Sequence, residues 1–399
     1  MPGVEELLTL EAAQALVLER AHPLGAERVR LEEAGGRVLA ETATALVDLP
    51  PFPSSAMDGY ALRSADTPGT LPVVARIAAG SPAGRSLAVG EAMGISTGGV
   101  VPDGADAVIQ HEMVVETDNQ ITVSTGVAQG ANIRPTGRDV VAGGAVISAG
   151  TRLGAPQIGA LAAAGVAEVI CAERPRAAVL TTGSELRAPG SPLGPGEVYE
   201  ANGVMLAAQL EAEGAVVTRL AAVVDDESAH RRAIEQGLEH DVLVTSGGVS
   251  VGPHDLVRRV EAELGVEEVF WRVAVRPGKP VSFGIRGRAL VFGLPGNPVS
   301  SLVACELFVR PALRALQGAS DPGPRYAAGR LAVSVNRNAG RDDLMRARST
   351  VTEDGVVLEP VGGQESHMIV RAAEADALVL VPRGEGELPA GASVRYLPL

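Results

Sequence analysis

At 399 residues with 46% hydrophobic content, the chain is long enough for about two to four domains, each with its own core. Aromatic residues are only 3%, so aliphatic side chains and alanine must fill those cores. The formal charge of −14 excludes broad electrostatic binding to nucleic acid or an anionic membrane. It does not exclude an anionic substrate, because screening over about 8 Å lets a local basic cluster act independently of distant acids.

Helical apolar spacing covers residues 10–20, with Thr9 as the expected N-cap, and 32–43 is also expected to be helical. Pro50, Pro51 and Pro53 then mark a change of structure. From there to about Gly144, short β-like runs (72–77, 107–110 and 120–123) alternate with Gly/Pro/Asp turns, as small β domains do. A helix at 155–164 and a strand at 168–171 follow. Residues 1–47 and 145–172 therefore read as an N-terminal α/β domain, with a β-rich domain, 48–144, inserted into it.

A different rhythm starts at 173. Strands at 177–180, 215–224, 241–245 and 289–292 alternate with helices at 204–213, 228–238, 256–264 and 299–316. This predicts a doubly wound α/β domain, 173–318, with a mostly parallel sheet. A Gly/Pro/Asp-rich linker, 318–323, leads to short strands and turns, read as a C-terminal β-barrel over 324–399. Cys171 and Cys305 show no Cys-x-x-Cys spacing, which argues against a disulfide framework or structural zinc and fits a reducing cytosol. The acidic N-terminus lacks a signal-peptide layout, and the longest uncharged run, 289–305, is broken by Pro295, Gly296 and Pro298. A cytoplasmic protein with no membrane span is expected.

Ligands of doubly wound sheets bind beyond the carboxyl ends of the strands. The loops there are 181–186, 225–226, 246–255 and 293–301. Ser246-Gly247-Gly248-Val249-Ser250-Val251-Gly252 follows a strand and precedes a helix; by itself it serves equally as a tight turn or as a phosphate cradle. It is neither a Walker A loop nor a dinucleotide fingerprint. Asp255 closes it, where an acidic helix start is also common. Gly293-Leu294-Pro295-Gly296-Asn297-Pro298 opens a helix whose first turn holds Ser300 and Ser301. Thr181-Thr182-Gly183-Ser184-Glu185 adds a carboxylate to the same sheet edge. Asp58, in Ser55-Ala56-Met57-Asp58-Gly59-Tyr60-Ala61, reads first as a turn-stabilising acid, and Arg138-Asp139 is similarly ambiguous.

Between these loops, Arg276-Pro277-Gly278-Lys279-Pro280 holds the only lysine of the chain, against 33 arginines. A surviving accident of arginine drift would explain it. A requirement for a compact ammonium that a planar guanidinium cannot replace explains it better, given the glycine loops on either side. None of the six histidines has metal-ligand spacing, which argues against a zinc hydrolase. The chemistry indicated is anion handling by Lys, Arg, Ser and backbone N–H, with carboxylates available for Mg²⁺.

These motifs, together with Ser96-Thr97-Gly98, Gly104–Val108 and Gly363–His367, occur in one order along the whole chain, which in this respect resembles the molybdopterin molybdenumtransferase family. The resemblance implies an elongated homodimer with the fourfold domain arrangement above, and relates the chain to the C-terminal domain of gephyrin. It implies adenylylated molybdopterin and molybdate as substrates, Mg²⁺ as cofactor, AMP as a product, and the molybdopterin adenylyltransferase as the partner supplying the substrate. Positions matching the molybdate pocket are Arg276, Lys279, Ser300, Arg346 and Ser366. Glu185, Asp225, Asp255, Asp58 and Asp139 match important carboxylates, with Glu185 and Asp255 expected to position Mg²⁺ or water. Asp58, Asp139 and Thr97 are expected to act across the dimer. The pterin or nucleotide would meet Thr182, Gly183, Ser246, Gly247, Gly248, Ser250 and Gly252. Arg272, Pro295, Gly296, Asn297 and Pro298 would also meet it. The family commonly has lysine where this chain has Arg272 and Arg276; guanidinium forks also bind oxyanions, so binding is expected to survive there. Two other readings are the adenylyltransferase of the preceding step, which typically has Gly-Gly-Thr-Gly where this chain has Gly-Gly-Val-Ser, and a scaffold on the same fold.

Overall fold

The computed structural model describes residues 7–224, 226–248 and 256–399. In the N-terminal half, strand Ala26–Arg30 pairs antiparallel with Glu168–Ala172, and helix Ala155–Ala163 covers a small core of Leu39, Leu153, Leu161 and Cys171. The helix expected over 32–43 does not form: the chain makes one 3₁₀ turn, Leu31–Glu33. Gly35 and Gly36 follow it, the latter at φ +78°, and Val38 and Leu39 are then drawn into bridges with Arg152 and Cys171. Between these segments lies a six-stranded sheet in the order 107–110, 59–62, 92–95, 69–77, 120–123 and 115–117.

The first helix, Leu10–Arg20, packs elsewhere. Thr9 caps it as expected, its hydroxyl accepting from the Ala12 N–H at 3.1 Å. Its buried face, Leu10, Ala13 and Val17, joins the core containing Phe308 and Leu313. Gln14 donates to the Leu307 carbonyl at 3.2 Å. Pro311 explains that contact, because it has no N–H to return to Leu307. At this point the single helix expected over 299–316 divides into Pro298–Ala304, a π turn Cys305–Val309, and Arg310–Leu316.

Six strands form the central sheet, in the order Val216–Arg219, Arg176–Thr181, Val242–Ser246, Ala289–Leu294, Ser282–Arg286 and Glu267–Trp271. The first four are parallel, as expected; the last two form an antiparallel edge. Alternate residues feed the two faces. Val179, Val244 and Phe292 enter one core, and Leu180, Leu243 and Val291 the other, beneath Ile234 and Val260. Strand Arg176–Thr181 is followed in chain order by its neighbour on one side and then by its neighbour on the other. Such a reversal leaves the loops after Thr181 and Ser246 diverging, with a crevice between them.

Five strands close the C-terminal barrel: 342–352, 355–360, 327–331, 393–398 and 377–381, the last pairing back to the first. A short strand, Val275–Arg276, extends this sheet from outside by pairing parallel with Asp342 and Asp343. The cationic loop is thereby stitched to the barrel. No helix among the described residues is long and apolar enough to cross a membrane.

Candidate active site

The crevice at the strand reversal is a cleft of about 820 Å³. Thr181, Thr182 and Gly183 form one wall, Ser246, Gly247 and Gly248 the floor, and Pro295, Gly296, Asn297 and Pro298 the opposite wall. Backbone bonds lock the three loops: Thr182 N–H donates to the Ser246 carbonyl (3.1 Å) and Gly247 N–H to that of Leu294 (3.1 Å). Position 247 requires glycine. Its φ is +98°, and a β-carbon there would lie 2.7 Å from the Thr182 carbonyl oxygen.

Asn202, at the start of helix Asn202–Ala212, ties floor to wall. Its side-chain amide donates to the Ser246 hydroxyl at 2.9 Å and to the Gly296 carbonyl at 2.8 Å. The Ser246 hydroxyl lies 3.2 Å from that of Ser301, which in turn bonds the Pro295 carbonyl. His230, 1% exposed, also lines the cleft, with Nδ1 on the Asp226 carbonyl at 2.8 Å. The neutral tautomer holding that bond carries its proton on Nδ1. The sequence alone points to neither residue, since each looks like an ordinary helix-start residue.

A second cleft, of about 660 Å³, lies beyond a shared wall of Pro280, Pro295, Asn297 and His367. Arg276, Lys279, Ser300 and Ser366 line it, together with Arg341. Four of the five residues matched to an oxyanion pocket are thus brought together from a loop, a helix start and the barrel. The Asn297 amide reaches the Ser366 hydroxyl at 2.9 Å, fastening barrel to loop. Lys279 is exposed, and its ammonium has no hydrogen-bond or ion-pair partner among the described residues. Arg276 pairs with Asp343 of the barrel.

Arg346, the fifth, stands behind the lining. It is 1% exposed and donates to the Gly363 (2.6 Å) and Glu365 (3.4 Å) carbonyls, so it shapes the loop that carries Ser366. Burial pulls its guanidinium below the ordinary arginine range, against the opposing charge of Glu365. Arg272 adopts φ +70° and stacks on Trp271, its guanidinium carbon 3.6 Å from the ring centre; it lines neither cleft.

Glu185 lines the first cleft with its carboxylate free of any described protein partner. No group of three or more metal-ligating side chains occurs among the described residues. One open carboxylate beside a glycine loop still suits Mg²⁺, which typically takes one or two carboxylates and completes its shell with phosphate oxygens and water. Asp225, Ser250, Gly252 and Asp255 lie outside the described residues. Asp58 and Thr97 meet just beyond the ends of strands 59–62 and 92–95 of the inserted sheet, where Thr97 N–H donates to Asp58 at 2.8 Å; Asp139 bonds Leu49 through its backbone. None of these three lines either cleft.

Comparison with known proteins agrees with this arrangement. Residues 8–165 match the MoeA N-terminal region (domain I and II), 178–315 a probable molybdopterin binding domain, and 328–399 the MoeA C-terminal region (domain IV). A molybdopterin molybdenumtransferase of Haemophilus influenzae is 35% identical over 98% of both chains. Molybdopterin molybdenumtransferase 2 of Mycobacterium tuberculosis is also 35% identical, over 98% of this chain and 99% of its own. The crystal structure of a molybdopterin biosynthesis MoeA protein from Pyrococcus horikoshii OT3 superposes with a TM-score of 0.86 at 29% identity, covering 99% of this chain and 100% of that one. With all three regions matched in order and its relatives aligned end to end, the chain belongs to the molybdopterin molybdenumtransferase family.

Proposed function

We infer that this protein is a transferase that inserts molybdenum from molybdate into adenylylated molybdopterin and releases AMP. The observation that carries the reading is the shared wall. A cleft floored by the side-chain-free Gly247 and Gly248 adjoins one lined by Arg276, Lys279, Ser300 and Ser366 across Pro280, Pro295, Asn297 and His367. The first suits a phosphate-bearing ligand, the second a tetrahedral dianion.

On this reading the absence of side chains at Gly247 and Gly248 lets the pyrophosphate approach the floor closely, and Asn202 keeps the floor and wall at a fixed separation. Lys279 offers three rotatable donors to the oxyanion and Arg276 a planar fork, while the Ser300 and Ser366 hydroxyls complete the ring of donors. Glu185, with Asp255, would hold Mg²⁺, which supplies charge neutralisation for the pyrophosphate being cleaved.

The separation of Asp58, Thr97 and Asp139 from both clefts supports a homodimer in which a second copy brings them to the site. The exposed apolar side chains Leu46, Phe52 and Val141 in that half are consistent with such an interface. The free, buried Cys171 and Cys305 fit a reducing cytoplasm. Substrate would arrive from the molybdopterin adenylyltransferase.

The test is AMP release from adenylylated molybdopterin in Mg²⁺ buffer, with and without molybdate. Molybdate-dependent release is expected. Tight binding of the adenylylated substrate without release would point instead to a carrier on the same fold.

A further inference from the structure

Asp343 is 1% exposed, and its side chain lies behind the oxyanion cleft rather than in it. One carboxylate oxygen pairs with an Arg276 Nη, while the other is buried with no hydrogen-bond partner among the described residues. A buried, half-satisfied carboxylate is costly, and burial pushes its carboxyl up even with Arg276 beside it. A strand of a closed barrel gains nothing from such a group. The register explains its position: Val275 pairs with Asp342 and Arg276 with Asp343, so the barrel strand delivers the carboxylate to the base of this one cation.

Arg276 itself is about half exposed, at 52% of its side chain, and lines the cleft. A guanidinium has five N–H donors in a rigid plane, so one edge can be held from behind while the rest face an anion. An ammonium has no such second edge, which supplies a reason for arginine at this position.

We propose that Asp343 is the positioning residue of the oxyanion cleft, fixing the plane of the Arg276 guanidinium and coupling the cleft to the barrel. The proposal rests on the cleft's taking a tetrahedral dianion. It predicts an effect that passes only through Arg276, and a double-mutant cycle separates this from the alternatives. Molybdate alone is titrated calorimetrically into the full chain carrying Asp343→Asn, Arg276→Gln, or both. Asp343→Asn is expected to weaken molybdate binding at least threefold when Arg276 is present. In the Arg276→Gln background it is expected to leave binding unchanged or strengthen it, since only the loss of a nearby negative charge then remains.

Equal weakening in both backgrounds would mean that Asp343 merely supports the fold, and would overturn the proposal. So would unchanged or tighter binding with Arg276 in place, which would make the carboxylate a simple source of repulsion. No molybdate binding by the wild-type chain overturns the functional reading as well, so the two failures are distinguishable. If Asp343→Asn does not fold, Asp343→Ser takes its place in the same cycle.

Discussion

Replacing Asn202 with alanine removes two hydrogen bonds, at 2.9 Å to the Ser246 hydroxyl and 2.8 Å to the Gly296 carbonyl. Each is worth about 0.5–1.5 kcal/mol net, so the tie between floor and wall is worth about 1–3 kcal/mol. Asn202 is half-buried at the start of its helix, and Ser246 keeps its contacts with Ser301 and Pro295, so the global fold should survive. The loss should fall on the geometry of the cleft. At about 1.4 kcal/mol per decade, kcat/KM for molybdate-dependent AMP release should drop roughly fivefold to 150-fold. The thermal midpoint should move by only a few degrees. Steady-state kinetics and a melting curve on the same preparation decide the matter. A loss of less than twofold would show that the loops hold their separation without Asn202. A fall in midpoint large enough to account for the lost activity would make its role general rather than local.

Three further outcomes follow from the same geometry. Lys279→Arg should cut molybdate-dependent AMP release at least tenfold while leaving binding of the adenylylated substrate within twofold, because the fork cannot adopt the compact position of an ammonium; unchanged turnover would refute this. Gly247→Ala should destabilise the chain by about 1–3 kcal/mol in a denaturant titration, given its φ of +98° and the 2.7 Å approach to Thr182. It should also abolish substrate binding, measured by calorimetry. Glu213, 2% exposed and contacted by Arg152, Arg310 and Arg314, should cost about 3–5 kcal/mol when replaced by glutamine. Burial pushes the Glu213 carboxyl up, but the hydrogen bonds and charges of Arg314 and Arg310 outweigh that and hold it below its ordinary value. Its contribution is therefore fully present above the ordinary glutamate range and is lost as pH falls through the depressed value. Acid unfolding of Glu213→Gln should consequently show a shallower pH dependence than wild type.

The parallel strands are legible because residues buried on both faces read as short continuous apolar runs, as at 177–180 and 242–244. The antiparallel edge is not: Glu267 and Glu268 begin one of its strands, and charged residues at a solvent-facing edge carry no apolar period. The helix expected over 32–43 fails for a local reason, since paired glycines allow the turn that tertiary bridges then fix. Glycine and proline loops advertise a site because few other residues fit them. Asp343 does not, because a charged residue in a strand normally reads as its solvent face, whereas here it is buried behind the cleft; Arg346, buried likewise, is singled out only by the family resemblance. Asn202 is hidden by its place at a helix start, where a local role would suffice.

The contact between Gln14 and Leu307 spans 293 residues, and the whole buried face of the first helix depends on partners of similar separation. At a synthesis rate of about 5–20 residues per second, that helix leaves the ribosome roughly 15–60 s before Phe308 and Leu313 exist. The intervening N-terminal units can close in that interval, but Leu10, Ala13 and Val17 have nowhere to go. A face of only two branched side chains and an alanine is a small aggregation hazard over such a wait. The modest size of that face limits the hazard of leaving the beginning of the chain uncovered until its distant partners in the central core have been made.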